Sequence, residues 1–561
     1  MFSLLETIVS RRVFRLTVLA SALAISPLLS FAQHDEGVLN GAVSGAASEE
    51  TTVETITTQA ASPVAGEIAV SPTMLLKVPA ATLRTPKQVT ADAPRAALAP
   101  QGEMAPFRPT IGDAHYLAAK EAALRAPQSA RPQTQAPVPL APPVFVGPSF
   151  EGVNQGVAGG GFPPDTHGAV GRNHFVEVTN SHLDVYTKAG VLVKSNSLAI
   201  FLGYFTKGLF DPRVIYDRTY DRYIVTAEAF PESTSIQRYF IAISRTGDPL
   251  GSYFIYNLNA TAIAGVNNFF DFPQVGMDQD SIIATGNVFS PTAFLGWRMV
   301  AIAKARLYNG AGFSVPIFAG SPSDGTIAPP IGLDQNAKTF LVAAPPISSS
   351  LRLYTLRDSS RTPGVSLTGP VAVSVAAYSL PPNATQCGGI GTAQQLDSGD
   401  ARFVNASTQS GNFLWASHSI DFFGAAVRWY KINTATNSVA AGDTHTHFAS
   451  GSSSDFNASI AANDAGDVYV NWNSSSSTVC PQVRFSGQRA TDVGTPSVAG
   501  IALFTSPTKL TGNFDPRFGT QRWGDYSAVT VDPLNSLRGW LVNEKVNSAN
   551  VWGSRIGRVG F

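Results

Sequence analysis

A short segment built from an acid, an aromatic or proline, a small residue, alternating apolar positions and a second acid recurs through most of this 561-residue chain. Its sharpest copy is Arg522-Trp523-Gly524-Asp525-Tyr526-Ser527-Ala528-Val529-Thr530-Val531-Asp532-Pro533. Asp271 to Asp278 and Asp455 to Asn463 repeat it, with one residue of slip between them. Looser copies begin at Asp165, at Asp211 (followed by Pro212, Arg213, Val214) and at Asp400 (followed by Ala401, Arg402, Phe403). A further copy around Ile327 keeps Pro330-Ile331-Gly332-Leu333-Asp334 but has Ile327 where the first acid belongs. The starts lie 46 to 73 residues apart, regular enough to be structural units and too uneven for a tight solenoid.

Each unit holds about four short alternating strands separated by Gly, Asn, Asp and Pro turns. After Asp211 they are expected at Arg213 to Tyr216, Tyr223 to Ala229, Arg238 to Ser244 and Tyr253 to Asn257. Four-stranded units repeated at this spacing are the signature of a β-propeller, in which blades pack face to face around a channel. The expected fold is therefore all-β: a seven-bladed propeller over residues 142–561. The last unit offers three clear strands, so Val144-Phe145-Val146 is expected to supply the fourth and close the ring. Closure removes open sheet edges that would otherwise invite aggregation.

Upstream of that domain the texture differs. Arg11, Arg12 and Arg15 precede an apolar run from Leu16 to Leu29 and a small-x-small site at Ser30-Phe31-Ala32, so residues 1–32 read as a signal peptide. Ser10-Arg11-Arg12-Val13-Phe14 is close to a twin-arginine motif, which leaves that route and general secretion both open. The protein is expected to be exported, periplasmic or secreted, with no transmembrane segment after processing. Residues 33–141 are rich in Ala, Pro, Thr, Ser and Gln and poor in aromatics, a composition that buries too little apolar surface to offset its ordering entropy. They are expected to form a largely disordered stalk, apart from a short helix near 113–126 that Asp113 caps and Pro127 ends. The two cysteines, Cys387 and Cys480, lie 93 residues apart; an oxidising compartment permits a disulfide, and only geometry decides it. A formal net charge of zero, with 14% charged residues, gives no electrostatic case for nucleic acid.

The domain also resembles a group of exported bacterial β-propeller proteins, mostly uncharacterised and distantly sialidase-like in architecture. The resemblance rests on Pro163-Pro164-Asp165-Thr166, Gly168-Ala169-Val170-Gly171, Asn173-His174, Leu396-Asp397 with Asp400 and Arg402, Val427-Arg428-Trp429-Tyr430, and Arg522 to Tyr526. It implies the propeller fold and supplies no catalytic residues.

Six of the seven units open with an aspartate, at 165, 211, 271, 400, 455 and 525. On equivalent innermost strands these would form a ring at one channel mouth, with Arg213, Arg402 and Arg522 near enough to pair with three of them. A carboxylate ring repels itself unless cations compensate. The bland reading is that each aspartate accepts backbone hydrogen bonds and holds its blade in register. The sharper readings are a ligand-binding mouth formed by Asp165, Asp211, Arg213, Asp271, Asp400, Arg402, Asp455, Arg522, Asp525 and Tyr526, or a calcium site. Calcium is the one cofactor this pattern suggests; no metal ligand set is otherwise visible, and His445 and His447 lack a third partner at a family-like spacing. The expected function is a monomeric binding or scaffolding module for a carbohydrate or protein ligand. The alternative is a sialidase-like glycoside hydrolase, with no catalytic residues identified, and the Ser-x-Asp-x-Gly-x-Thr-Trp turns of sialidase blades are absent.

Overall fold

In the computed structural model, neighbouring strands of each repeat pair antiparallel, and the first strand of each repeat lies innermost. The structure describes residues 50–56, 67–72, 74–86, 102–104, 106–125, 131, 143–388, 391, 394–492, 496–547 and 551–561. The expected signal peptide falls outside them. His167–Val170, Leu209–Asp217, Phe269–Met277, Ser407–Ser410 and Ser454–Ala462 each start a sheet that continues outward through three more strands. The copy lacking its acid is built differently: Thr326–Ala328 opens its sheet, while Pro330–Gly332 pairs in parallel with Met277 on one side and Ser407–Gln409 on the other. The last sheet starts at Ala528–Val531 and takes its outer strand from Val144–Asn154, paired with Trp552–Gly560. Each innermost strand touches the next, and Ala528–Val531 returns to His167–Val170. The architecture is all-β and β-propeller-like.

The strands form because apolar residues alternate and both faces are covered. Tyr223, Val225 and Ala227 face one neighbouring sheet while Ile224 faces the other, so two separate apolar clusters flank one strand. Wide face-to-face packing of this kind is the main stabilising contribution, at roughly 25 cal/mol per Å² of apolar surface removed from water. Cys387 and Cys480 form a disulfide with their Cα atoms 4.6 Å apart.

The upstream segment departs from the expected stalk. Thr82–Arg84 pairs with Tyr253–Ile255, Met74–Val78 with Phe313–Ile317, and Ala69–Val70 with Leu367–Thr368. Thr52–Thr55 adds to Met74–Lys77. The described parts of this segment are ordered as edge strands on three successive sheets. The physical reason is that an exposed edge recruits backbone N–H and C=O groups, which a low-complexity chain carries as well as any other. A helix occupies Asp113–Arg125, with Tyr116, Lys120 and Ala123 as its buried residues. No described helix is long and apolar enough to cross a membrane.

Candidate functional site

Two features could act on a ligand: a buried polar cluster at the leading ends of the inner strands and a cavity at their trailing ends. The cluster is shaped by a repeated distortion. Pairing shifts between Phe210 and Arg213, between Asp271 and Gln274, and between Phe456 and Ser459, and the bulges hold Asp211, Phe272 and Asn457 at φ of 48°, 55° and 55°. Asp165, two residues ahead of its strand, has φ 46°. Left-handed backbone is costly for residues with a Cβ and persists where the surroundings enforce it.

These bulges correct the expected ring. The equivalents of Asp165 and Asp211 are Phe272 and Asn457, so Asp271 stands one residue early and Asp455 two. Asp455 is turned away: its carboxylate accepts from Trp472 Nε1 (2.9 Å), Ala449 N (3.1 Å) and Ser453 Oγ (2.5 Å), and lies 3.7 Å from Arg131. Asp400 lies in the loop before its strand, in a bidentate pair with Arg402 at 2.8 and 2.7 Å. Arg522 makes the same pair with Asp525, at 2.9 and 2.8 Å. Arg213 pairs with none of the aspartates; it reaches across to Pro273 O, Val404 O and Asn405 Oδ1, and its guanidinium lies 3.3 Å from the centre of the Tyr526 ring.

Asp165, Asp211 and Asp271 do converge. Asp165 accepts from Asp525 N (2.7 Å) and Asn180 Nδ2 (2.6 Å), and the same asparagine's carbonyl oxygen accepts from Asp211 N at 2.8 Å. Tyr526 donates its hydroxyl to Asp211. Burial, then the neighbouring carboxylates, pushes Asp211 well above the usual range; burial and Asp525 push Asp165 up to about 7, and burial pushes Asp271 up to about 6 despite Arg108 and Arg402. Two acids that the repeat did not mark join them, Glu228 and Glu544, both fully buried and both pushed well up by desolvation. Glu228 is the one charged residue between Tyr223 and Ala229, which is a signal in the sequence, whereas Glu544 sits between Asn543 and Lys545, where the sequence gives none. Asp211, Glu228 and Asp271 present carboxylate oxygens within 4.8 Å of one another, the one such set among the described residues and a spacing that oxygens around one calcium ion satisfy. Arg108 lies 3.4 Å from Asp271 and Tyr526 holds Asp211, so protonated carboxyls account for the same arrangement.

Residues 102–104 and 106–125 cover this cluster. Phe107 is buried, and Arg402 and Arg522 lie 4.9 and 5.7 Å from its ring centre. Arg517 Nη1 donates to Phe107 O at 2.7 Å, and Arg402 Nη2 to Arg108 O at 2.9 Å. From the following helix, Tyr116 donates to Asp397 (2.9 Å) and Lys120 to Ser398 (2.7 Å).

The trailing ends enclose a cavity of about 360 Å³ to which every inner strand contributes, among them Val170, Met277, Ile331, Thr408, Ile460 and Val529. His167 faces it with an imidazole held well below its usual pKa by burial and then by Arg213, and Nδ1 accepts from Val214 N at 3.3 Å. The carboxylates at its rim are all paired. Arg218 reaches Asp464 from the opposite side at 2.8 Å, Lys304 holds Asp217 at 2.7 Å, and Lys188 holds Asp532 at 2.8 Å. His445 and His447 are remote from both features: His445 stacks on Trp429, and His447 Nε2 accepts from Trp429 Nε1 at 3.0 Å.

No family model matches the chain, and no curated protein does. Among solved structures it is similar to a protein of unknown function from Dyadobacter fermentans, at 10% identity and TM-score 0.36, covering 62% of this chain and 94% of that one. It is similar to a DUF4623 family protein from Bacteroides eggerthii at 10% identity and TM-score 0.32, covering 62% and 77%. A galactose-bound exo-β-1,3-galactanase from Phanerochaete chrysosporium matches at 10% identity and TM-score 0.28, covering 75% and 99%. At these values the likenesses carry no activity over to this chain.

Proposed function

We propose that the protein is an exported, monomeric seven-bladed propeller that binds a carbohydrate at the trailing-end cavity. The observation that carries this reading is the cavity itself, walled by every inner strand and rimmed by carboxylates that are each already neutralised by a cation. Paired Arg–Asp and Lys–Asp groups offer planar donors and acceptors to sugar hydroxyls. Tyr216 contributes an aromatic ring to the lining. A hydrolase needs a proton donor and a nucleophile or activated water converging on one accessible space. At the trailing end the acids are held in ion pairs with Lys188, Arg218 and Lys304.

The hydrolase reading survives at the leading end alone, where acids with raised pKa values stand beside Tyr526 and three arginines. There the chain itself fills the space a glycan would need.

Screening the purified protein against an oligosaccharide array, followed by calorimetry on the best binder, tests the proposal. Saturable binding is expected, weakened about tenfold by Arg218→Ala or Asp464→Ala, the loss of one good polar contact. A folded protein that binds no oligosaccharide overturns it. Catalytic release of reducing sugar from the bound glycan would replace it with the hydrolase reading.

A further inference from the structure

The leading-end cluster combines two observations that a purely structural cap does not explain. The first is the manner in which residues 102–104 and 106–125 sit on it. Phe107 lies between two guanidiniums, its own carbonyl and that of Arg108 are held by Arg517 and Arg402, and the Arg108 side chain pairs with Asp271. Main-chain carbonyls gripped by arginines, an aromatic side chain in a pocket and a cation on a carboxylate are the contacts of a bound peptide. The second is what the segment leaves unused. Arg213 Nη2, Glu228 Oε1, Glu544 Oε1 and Asp397 Oδ2 are buried with no hydrogen-bond partner. Native proteins pair nearly all such atoms, and the exceptions concentrate where function requires them.

The helix is attached along one face only, where Tyr116 packs with Phe107 and Phe518 and Lys120 is buried. Three of the thirteen residues of the helix Asp113–Arg125 are buried, and its outer ion pair, Asp113 with Arg517, is 48% and 36% exposed. Exposed pairs of this kind contribute little to stability. Elements with few buried apolar contacts open locally at a small fraction of the global unfolding free energy.

We propose that the leading-end mouth is a peptide-binding site and that residues 102–125 are its displaceable ligand in cis. The site recognises an aromatic residue followed by arginine, with a helix carrying Tyr and Lys four residues apart on one face. Occupation in cis keeps the Asp165, Asp211, Asp271 and Tyr526 cluster closed. This site is separate from the trailing-end cavity, so the proposal stands or falls independently of the carbohydrate reading.

The probe is a fluorescein-labelled peptide with the sequence of residues 102–125, added to the full protein. Wild type should bind it at least about 100-fold more weakly than the Phe107→Ala/Arg108→Ala variant, because the tethered copy competes at an effective concentration on the order of millimolar. Asp271→Asn introduced into that variant should weaken probe binding about tenfold, the Arg108 contact being lost. A variant that retains cooperative unfolding yet binds no probe overturns the proposal, as does equal binding to variant and wild type. Should the variant fail to fold, hydrogen exchange on wild type decides. Amides of 113–125 are expected to exchange at least about 100-fold faster than those of Arg222–Ala229. Protection of the helix equal to that of the strand means that it leaves only on global unfolding, and the proposal fails.

Discussion

The two ends of the inner strands use charge in opposite ways. At the trailing end each carboxylate has its own cation, in solvent for Arg218–Asp464 and below the surface for Lys304–Asp217 and Lys188–Asp532, and the space between the walls is open. At the leading end the charges are driven below the surface, with Asp165, Asp211, Glu228, Asp271 and Glu544 outnumbering the cations that reach them, and a segment from upstream seals them in. Burying a charge costs several kcal/mol unless it is paired. The fold therefore bears an incompletely paired cost at one end and a paired one at the other, and the difference separates a wall whose charges are already satisfied from a site whose polar groups are preorganised and hidden.

Removing one cation from each end exposes that contrast most strongly. Arg522 is 1% exposed in its side chain and Asp525 10%, so Arg522→Ala leaves a buried carboxylate without its bidentate partner. A loss of about 3–5 kcal/mol is expected in chemical denaturation. Comparable tolerance of Arg522→Ala and Arg218→Ala would erase the distinction between the two ends.

Titration gives the next largest effect. Asp165 binds its proton more tightly in the folded chain, at about 7, than at its ordinary value of 3.8. It is faced by Asp525, Arg522 and Asn180, with Asp211 and Glu544 close by. Between pH 3.8 and about 7 the folded state thus carries more protons than the unfolded one, and stability falls as pH rises. The penalty is absent below the lower value and complete above the upper. Asp271, raised to about 6, acts in the same direction over a narrower window. The unfolding free energy is expected to drop from pH 5 to pH 8 by an amount on the order of 2–3 kcal/mol for Asp165 alone. In Asp165→Asn the slope should flatten; an unchanged slope would mean that groups other than Asp165 carry it.

Much of this architecture was legible in the chain, because strand alternation and Gly, Asn and Pro turns act locally. The unit at Ile327 was recognisable from Pro330-Ile331-Gly332 although its acid is missing, and the outer strand at Val144 from the shortfall in the last repeat. What escaped has a common cause in non-local backbone geometry. Composition does not reveal where a bulge falls, so Asp211, inside its bulge, and Asp455, two residues before the equivalent place, look alike in sequence while their side chains face different surroundings. The strands between Thr52 and Arg84 are short and scattered through a Pro- and Ala-rich segment; Leu76 and Val78 of the longest are buried in a core made mostly elsewhere in the chain. Phe107 and Arg108 sit in a segment whose composition signals disorder, and their role depends on arginines roughly 300 to 400 residues away.

The smallest effect discriminates most finely. Arg218 and Asp464 are 33% and 56% exposed, and their ion pair spans the cavity mouth between two non-adjacent sheets. If the trailing end is inexpensive to occupy, a double-mutant cycle on this pair should give a coupling of about 0.2–1 kcal/mol in the unliganded protein. The same two substitutions should each weaken carbohydrate binding, so that a pair nearly silent in stability is prominent in affinity. A coupling well above 1 kcal/mol would make the pair a structural clamp across the mouth. The two ends would then both be closed by design, one by its own ion pair and the other by the upstream segment, and the trailing end would lose its claim to be the open site.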